Sequence, residues 1–535
     1  MTPTHPLTPL DVAVVGAGFG GMYMVKKARD DGLSVLAFEG GDDVGGTWYW
    51  NRYPGARCDV ESLEYSFSFD ETLQQEWQWT ERYAAQPEIL AYARHVADRF
   101  DLRRDIRFST RVTSAGWDEA TGHWTIVTDR GDTLRARFLV MATGPLSSTN
   151  LPGFEGITDF RGRTFHTGRW PHEPVDFTGR RVAVIGTGSS AVQMVPVVAP
   201  LAAQLTVFQR TAAYCVPARN GPIDPALEAK VKADYPGFRA RNRQMMTAFG
   251  SLLPAGTESA LEVSDAARER AFAERWAYGG FAFGRTFRDL SSDLRANEHA
   301  AQFIRDRIAE IVEDPEVAHR LMPTQPALCK RLCVDSGYYA SFNRPNVRLI
   351  DLKQAPLERI VPDGIVAGGE TLAFDDIVFA TGFDAMTGSL LKVDPVGRDG
   401  LRLSQAWRDG PVNYLGLTVA GFPNLFTLVG PGSPSAFTNV IMQIEQHVEW
   451  VAGCIRWLRA NDRASIEATP EAQAAWTAHV NASAGQTVFS HCNSWYVGAN
   501  VPGKPRMMMA LLGFPPYVQR CEEVVRGGYT GFAVG

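Results

Sequence analysis

Two glycine-rich turns, each following a short apolar strand and each opening a helical pattern, predict an α/β protein with two doubly wound parallel sheets. The first strand, DVAVVG from Asp11, runs into Gly16-Ala17-Gly18-Phe19-Gly20-Gly21; the second, RVAVIG from Arg181, runs into Gly186-Thr187-Gly188-Ser189-Ser190-Ala191. Gly16 and Gly186 lie 170 residues apart, the length of a whole domain, so two Rossmann-like units are expected. The third observation is the stretch from Asp224 to about Arg320, rich in Ala, Glu, Arg and Lys and poor in strand-like alternation, which predicts a helical insertion.

Length and composition agree with this reading. The 535 residues are 45% apolar and 21% charged, with 53 basic against 59 acidic side chains for a net charge of -6. That balance suggests neither disorder nor a polybasic nucleic-acid surface. The opening MTPTHPLTPL lacks the basic and apolar regions of a secretory signal, and the stretch from Ala191 to Phe208 carries too many prolines and glutamines to span a membrane. Seven cysteines without a Cys-x-x-Cys argue against a disulfide framework and against a zinc ribbon, so no metal is called for and a reducing cytoplasm is expected. Oligomeric state is not legible in the sequence, and a monomer is compatible with it.

Each unit follows from its own residues. In G-x-G-x-x-G, Gly16 permits the tight turn, Gly18 admits a pyrophosphate to the backbone and Gly21 lets helix pack on strand. The run VLAF ends in Glu39, 23 residues after Gly16, where a carboxylate accepts hydrogen bonds from an adenosine ribose. In the second unit LTVFQ ends in Arg210, 24 residues after Gly186, and a cation there favours a ribose 2'-phosphate. The pair therefore predicts FAD in the first unit and NADP(H) in the second. Strand runs at VRLIDL from Val347 and DDIVFATG from Asp375 are assigned to the second sheet, which makes both units discontinuous. The expected partition is 1–148 with 388–535 for FAD, 149–223 with 328–387 for NADP, and 224–327 as the insertion.

A family becomes nameable at Phe160 to Pro171. Phe160, Gly162, His166, Trp170 and Pro171 reproduce the spacing F-x-G-x-x-x-H-x-x-x-W-P, which resembles the fingerprint of type I Baeyer-Villiger monooxygenases. These flavoproteins insert one oxygen atom of dioxygen beside a ketone carbonyl. The runs GGTWYWNRYPGARCDVES from Gly45, CKRLCVDSGYYASFNRPNV from Cys329, GPGSPSAFTN from Gly430, IEQHVEW from Ile444 and NSWYVGANVPGKPR from Asn493 extend the similarity over nearly the whole chain. They are most similar to the branch containing the phenylacetone, steroid and cyclohexanone enzymes.

The resemblance implies residue roles. Arg331 would be the catalytic arginine and Asp59 its acidic neighbour. Thr47, Trp48, Tyr49, Trp50, Asp59, Tyr65, Val112 and Val440 would touch FAD. Arg57, Cys58, Thr187, Gly188, Ser189, Ser190, Gln193, Arg210, Thr211, Lys330, Arg331 and Trp495 would hold NADP, and Ser435, Ala436, Phe437 and Thr438 would shape the ketone pocket. A permanently charged Arg suits this chemistry because an oxygen anion must be stabilised beside the flavin. His166 reads as a hinge in the linker between units, and Cys329 and Cys333 as packing residues. The alternatives are a sulfur- or nitrogen-oxygenating flavin monooxygenase, a pyridine-nucleotide disulfide reductase, which the missing Cys-x-x-Cys opposes, and a flavin-binding redox sensor.

Overall fold

The computed structural model describes residues 8–535. Two largely parallel sheets dominate it. The first runs, in spatial order, Ile106–Arg107, Val35–Phe38, Leu10–Val15, Thr133–Met141, His123–Thr128 and Val112–Asp118. The last two strands are an antiparallel hairpin hung on the N-terminal half of Thr133–Met141, whose C-terminal half pairs in parallel with Leu425–Thr427. The final third of the chain therefore returns to the first sheet. The second sheet, all parallel, runs Val347–Asp351, Gln204–Gln209, Arg181–Ile185, Asp376–Phe379 and Arg163–His166.

Strand alternation divides each sheet's two faces between separate cores. Val12 and Val14 point into a core shared with the helices Phe19–Asp30 and Val440–Ala460, while Ala13 and Val15 point into one closed by Leu390, Leu403 and Trp407. Val182 and Val184 face one second-sheet core and Ala183 and Ile185 the other. Continuous apolar runs are what a parallel sheet covered on both faces demands, each fully buried Val or Ile contributing about 1.5–3 kcal/mol.

The residues inserted between the second-sheet strands Gln204–Gln209 and Val347–Asp351 form the helices Pro225–Lys232, Tyr235–Arg243, Asp265–Tyr278, Leu294–Ile311 and Pro315–Leu321. They do not make a body of their own. Val231, Tyr235, Phe238 and Phe249 join the first-sheet core, whereas Phe272, Phe287, Phe303 and Ile308 join the second. The insertion thus lies across both units. Tyr53 and Ala56, from the first unit's segment, are likewise buried in the second core.

Candidate active site

The first glycine turn fits a dinucleotide by its sterics. Gly16 has φ +105°, and a Cβ there would stand 2.6 Å from the Ala142 carbonyl oxygen; one on Gly21 would stand 1.9 Å from that of Gly16. These two glycines are required by the chain itself. Gly18 caps the helix Phe19–Asp30 without a side-chain hydrogen bond, so the N–H groups of the first turn are left for an anion. Glu39 is buried and accepts from Ala17 N and Gly41 N at 2.8 Å each, which holds the turn open toward the strand end.

The short helix Thr47–Trp50 lies directly on that turn: a Cβ on Gly46 would meet Gly18 Cα at 2.8 Å. Trp48 donates from Nε1 to the Tyr65 hydroxyl at 3.1 Å, fixing both rings, and Val440 begins the helix Val440–Ala460. Val112 sits in the core beside Val15 and Phe38, at the end of the first strands. Trp48, Tyr65 and Val440 pack into the core on the helix side of the first sheet, whereas Val112 lies in the core on its other face.

In the second unit Gly186 has φ +117° and no room for a Cβ, which would meet the Ala380 carbonyl at 2.4 Å. Gly188 differs. A Cβ there meets nothing within 4 Å, and Gly188 caps Ser189–Val198 without a side-chain bond. Open space above a bare helix N-terminus is the shape of a pyrophosphate cradle. Thr187 donates to Thr211 O at 2.6 Å, tying the turn to the segment after Arg210, which is exposed at the strand end. Lys330 stands near Arg210 and Lys353, and burial together with repulsion from both holds its ammonium below its ordinary range. Three converging cations suit a phosphate better than a free hydroxyl.

The two units are stitched together at Gln193. Its Oε1 accepts from the Tyr53 hydroxyl at 2.7 Å and its Nε2 donates to Arg57 O at 3.0 Å. Gly55, at φ +82°, lets the loop press so close that a Cβ would lie 2.3 Å from the Gln193 carbonyl. Arg57 itself turns away to Glu81, while Cys58 is buried and its thiol pushed up by desolvation. Ser189 Oγ faces Cys333 Sγ at 3.6 Å, and Ser190 lies against Tyr53.

Arg331 and Asp59, 272 residues apart in sequence, meet at this junction. Nε and Nη2 of Arg331 donate to the two Asp59 carboxylate oxygens at 2.7 and 2.8 Å, and Nη1 donates to Ala436 O at 2.9 Å. The side chains keep 26% and 21% exposure, so the pair is reachable from the cleft. Burial alone would lower the guanidinium's pKa, but Asp59 and the Tyr496 hydroxyl raise it above its usual value, leaving a fixed cation. Phe281 lies over the same guanidinium, its ring centre 4.8 Å away.

In the loop expected to shape the ketone pocket, Ser435 and Thr438 are buried within the protein, with Thr438 Oγ1 donating to Ser435 O at 3.1 Å. Ala436 contributes its carbonyl to Arg331, and Phe437 turns its ring toward Tyr496 (4.5 Å) and Phe489 (4.7 Å). Trp495 packs instead among Leu146, Met386 and Met509.

The fingerprint residues form the edge of the second sheet. His166 ends the strand Arg163–His166, which pairs with Asp376–Phe379, so the expectation of a linker position is corrected. Its Nδ1 accepts from Gly168 N at 3.0 Å, its Nε2 faces Thr381 Oγ1 at 3.4 Å, and burial lowers its pKa. Gly162 admits the Phe160 ring and the Asp375 carbonyl, both within 2.6 Å of where a Cβ would be. Trp170 stacks its ring on Phe165 at 5.1 Å and donates its backbone N–H to Trp50 O at 3.4 Å, carrying the motif, which Pro171 closes, across to the first unit.

The cysteine reading also needs correction. Cys329, expected as a packing residue in a chain without disulfides, is bridged to Cys492 across a sequence separation of 163. No spacing signal marks such a pair. Phe281 and Tyr496 were likewise missed, because the first lies in the insertion and the second is one aromatic among many; both reach Arg331 only through the fold.

Two Rossmann-like glycine turns, and between their units an Arg331 cation fixed by Asp59, are the parts expected of a flavin- and pyridine-nucleotide-dependent oxygenase. The model of the flavin-binding monooxygenase-like family matches residues 10–223. A Baeyer-Villiger monooxygenase of Pseudooceanicola batsensis is 44% identical over 97% of this chain and 95% of its own length, and a cyclohexanone 1,2-monooxygenase of an Acinetobacter species is 42% identical over 98% and 96%. The solved structure of oxidized steroid monooxygenase bound to NADP superposes with a TM-score of 0.94 at 51% identity, covering 98% of this chain and 99% of that one. The chain belongs to the Baeyer-Villiger monooxygenases, and its cofactors are FAD and NADP(H). Among the described residues no helix is long and apolar enough to cross a membrane.

Proposed function

We propose that this chain converts ketones to esters or lactones in a cytoplasmic setting, with 1–148 and 388–535 holding FAD, 149–223 and 328–387 holding NADP(H), and Arg331 as the catalytic residue. The bidentate Arg331–Asp59 pair at the junction of the two units is the observation that carries this reading. When bound, FAD reduced by NADPH supplies dioxygen activation; the oxygen chemistry is the cofactor's.

The protein's own part is electrostatic. Attack on a carbonyl carbon leaves negative charge on oxygen, and a preorganised cation needs no reorganisation to meet it. Asp59 fixes the plane of the guanidinium, and the Ala436 carbonyl fixes its third donor, so the charge cannot swing away. Phe249, Leu252 and Phe281 line a cavity together with Asp59 and offer an apolar wall for the carbon skeleton of a ketone. The fingerprint edge would couple the units without touching the reacting atoms.

The test is stoichiometry. Purified enzyme with NADPH and a panel of cyclic, aromatic and linear ketones should give one ester or lactone per NADPH and per dioxygen consumed. Hydrogen peroxide with every ketone, or oxidation of sulfides and amines alone, would overturn the reading, because transfer to a soft nucleophile needs no oxyanion stabilised by Arg331.

A further inference from the structure

The Cys329–Cys492 bridge joins the two segments that meet at Arg331. Cys329 immediately precedes Lys330 and Arg331. Cys492 belongs to the segment 486–505, which between Gly485 and the helix Phe514–Arg526 contains only the 3-10 turns Val488–His491 and Trp495–Val497. That segment covers the junction. Tyr496 lies against Arg331, Asn500 Nδ2 donates to Phe383 O at 2.7 Å, and Lys504 Nζ reaches Asp384 Oδ1 at 2.7 Å. All of these holds are non-covalent except the disulfide.

We infer that Cys329 and Cys492 are a reversible oxidation site, whose disulfide latches the segment 486–505 over Arg331 and whose reduction frees it. Access favours this. Cys329 is fully buried and Cys492 is 7% exposed, with Ser490, His491 and Asn493 on either side of it open to solvent, so an oxidant reaches Cys492 first and Cys329 lies behind it. The remaining cysteines, Cys58, Cys215, Cys333, Cys454 and Cys521, are buried as free thiols. Chemically the step is complete with hydrogen peroxide as oxidant: one thiol gives a sulfenic acid and one water, the second thiol displaces a further water, and the S–S bond forms as two thiols lose two electrons and two protons. A dithiol reductant reverses it by exchange.

A covalent tie limits how far the segment swings away, whereas the hydrogen bonds at Asn500 and Lys504 open individually. Since loops that cover a site commonly set the rate of product release, the oxidised form should hold bound NADP+ longer. That last consequence rests on the assignment of this face to NADP(H); the thiol count and the proteolysis below do not.

The test uses the full-length holoenzyme, reduced with excess dithiothreitol or oxidised with hydrogen peroxide. Thiols titrated after denaturation should number seven when reduced and five when oxidised, from the seven cysteines of the chain and the five free ones. Trypsin cleavage after the exposed Arg506 should slow about tenfold on oxidation, and NADP+ dissociation at least about fivefold. Cys492→Ser should show six thiols and reduced-form trypsin and NADP+ rates under both treatments, and Cys329→Ser serves the same purpose should that variant fold poorly. Seven thiols after peroxide, or five thiols with unchanged cleavage after Arg506, would overturn the latch. So would a Cys492→Ser enzyme that still responds to peroxide. If the cleavage responds but NADP+ release does not, the latch stands and its placement over the NADP(H) face is overturned.

Discussion

Replacement of Arg331 tests the proposed mechanism most directly. Its guanidinium makes three donor contacts at 2.7–2.9 Å, two to Asp59 and one to Ala436 O, and remains 26% exposed. A cation and an oxyanion about 4 Å apart at an effective dielectric constant of about 20 interact by about 4 kcal/mol. Losing a preorganised oxyanion partner costs about 2.7–4 kcal/mol in measured cases, so Arg331→Ala should slow ester formation by about 10²–10³-fold. Folding and FAD content should survive, because Asp59 keeps contact with solvent and the glycine turn from Gly16 to Gly21 lies on other elements. Arg331→Lys should recover less than about tenfold: an ammonium cannot hold both Asp59 oxygens and Ala436 O in one plane. The assay is ester formed per NADPH oxidised, with hydrogen peroxide measured alongside. A folded, flavin-loaded Arg331→Ala enzyme with wild-type rate and yield would remove this residue from the mechanism.

Three further outcomes follow from the geometry. Arg210→Ala should raise KM for NADPH about 10–100-fold and that for NADH by less than about threefold, since only the former carries the phosphate that a charge-assisted bond worth about 1.5–3 kcal/mol would hold; steady-state kinetics with both coenzymes decides. Gly188→Val should fold and keep FAD, its Cβ facing open space, yet lose at least about tenfold in NADP+ affinity by calorimetry as the cradle fills; undiminished affinity would remove the cradle. His447, fully buried with Nδ1 accepting from Val429 N at 3.0 Å, has its pKa pushed down to about 3 by desolvation. Its folded pKa lies below the unfolded value, so its contribution is present above pH 6.5 and lost as pH falls; between pH 7.5 and 5 the loss is about 2 kcal/mol. Urea unfolding of wild type and His447→Gln at both pH values should show a steeper fall for wild type, and parallel falls would contradict the buried neutral imidazole.

What could be read in advance depended on how local its cause was. The glycines at 16, 21 and 186 are demanded by backbone oxygens within a few ångströms, and the alternation of Val12 with Ala13 by two covered faces, so strand, turn and helix were legible. Glu39 and Arg210 follow directly on the strands Val35–Phe38 and Gln204–Gln209, so their positions in the fold were legible for the same reason. Asp59 and Arg331 came only through resemblance, since nothing in either neighbourhood announces a partner 272 residues away. The disulfide and the Phe281 ring over Arg331 were invisible: each is a meeting of ordinary residues brought together by packing alone.

The pairing of Leu425–Thr427 with Thr133–Met141 bears on how the chain is made. A ribosome that has finished Met141 must add almost 300 residues before the neighbour of Leu139, Val140 and Met141 exists, which at about 5–20 residues per second is roughly 15–60 s. Throughout that time the nascent first sheet carries an unpaired apolar edge, while residues 163–379, which include every strand of the second sheet, are synthesised and can close. Biogenesis should therefore run inside out, the middle of the polypeptide maturing first and the amino-terminal portion waiting, chaperoned, for its carboxy-terminal complement.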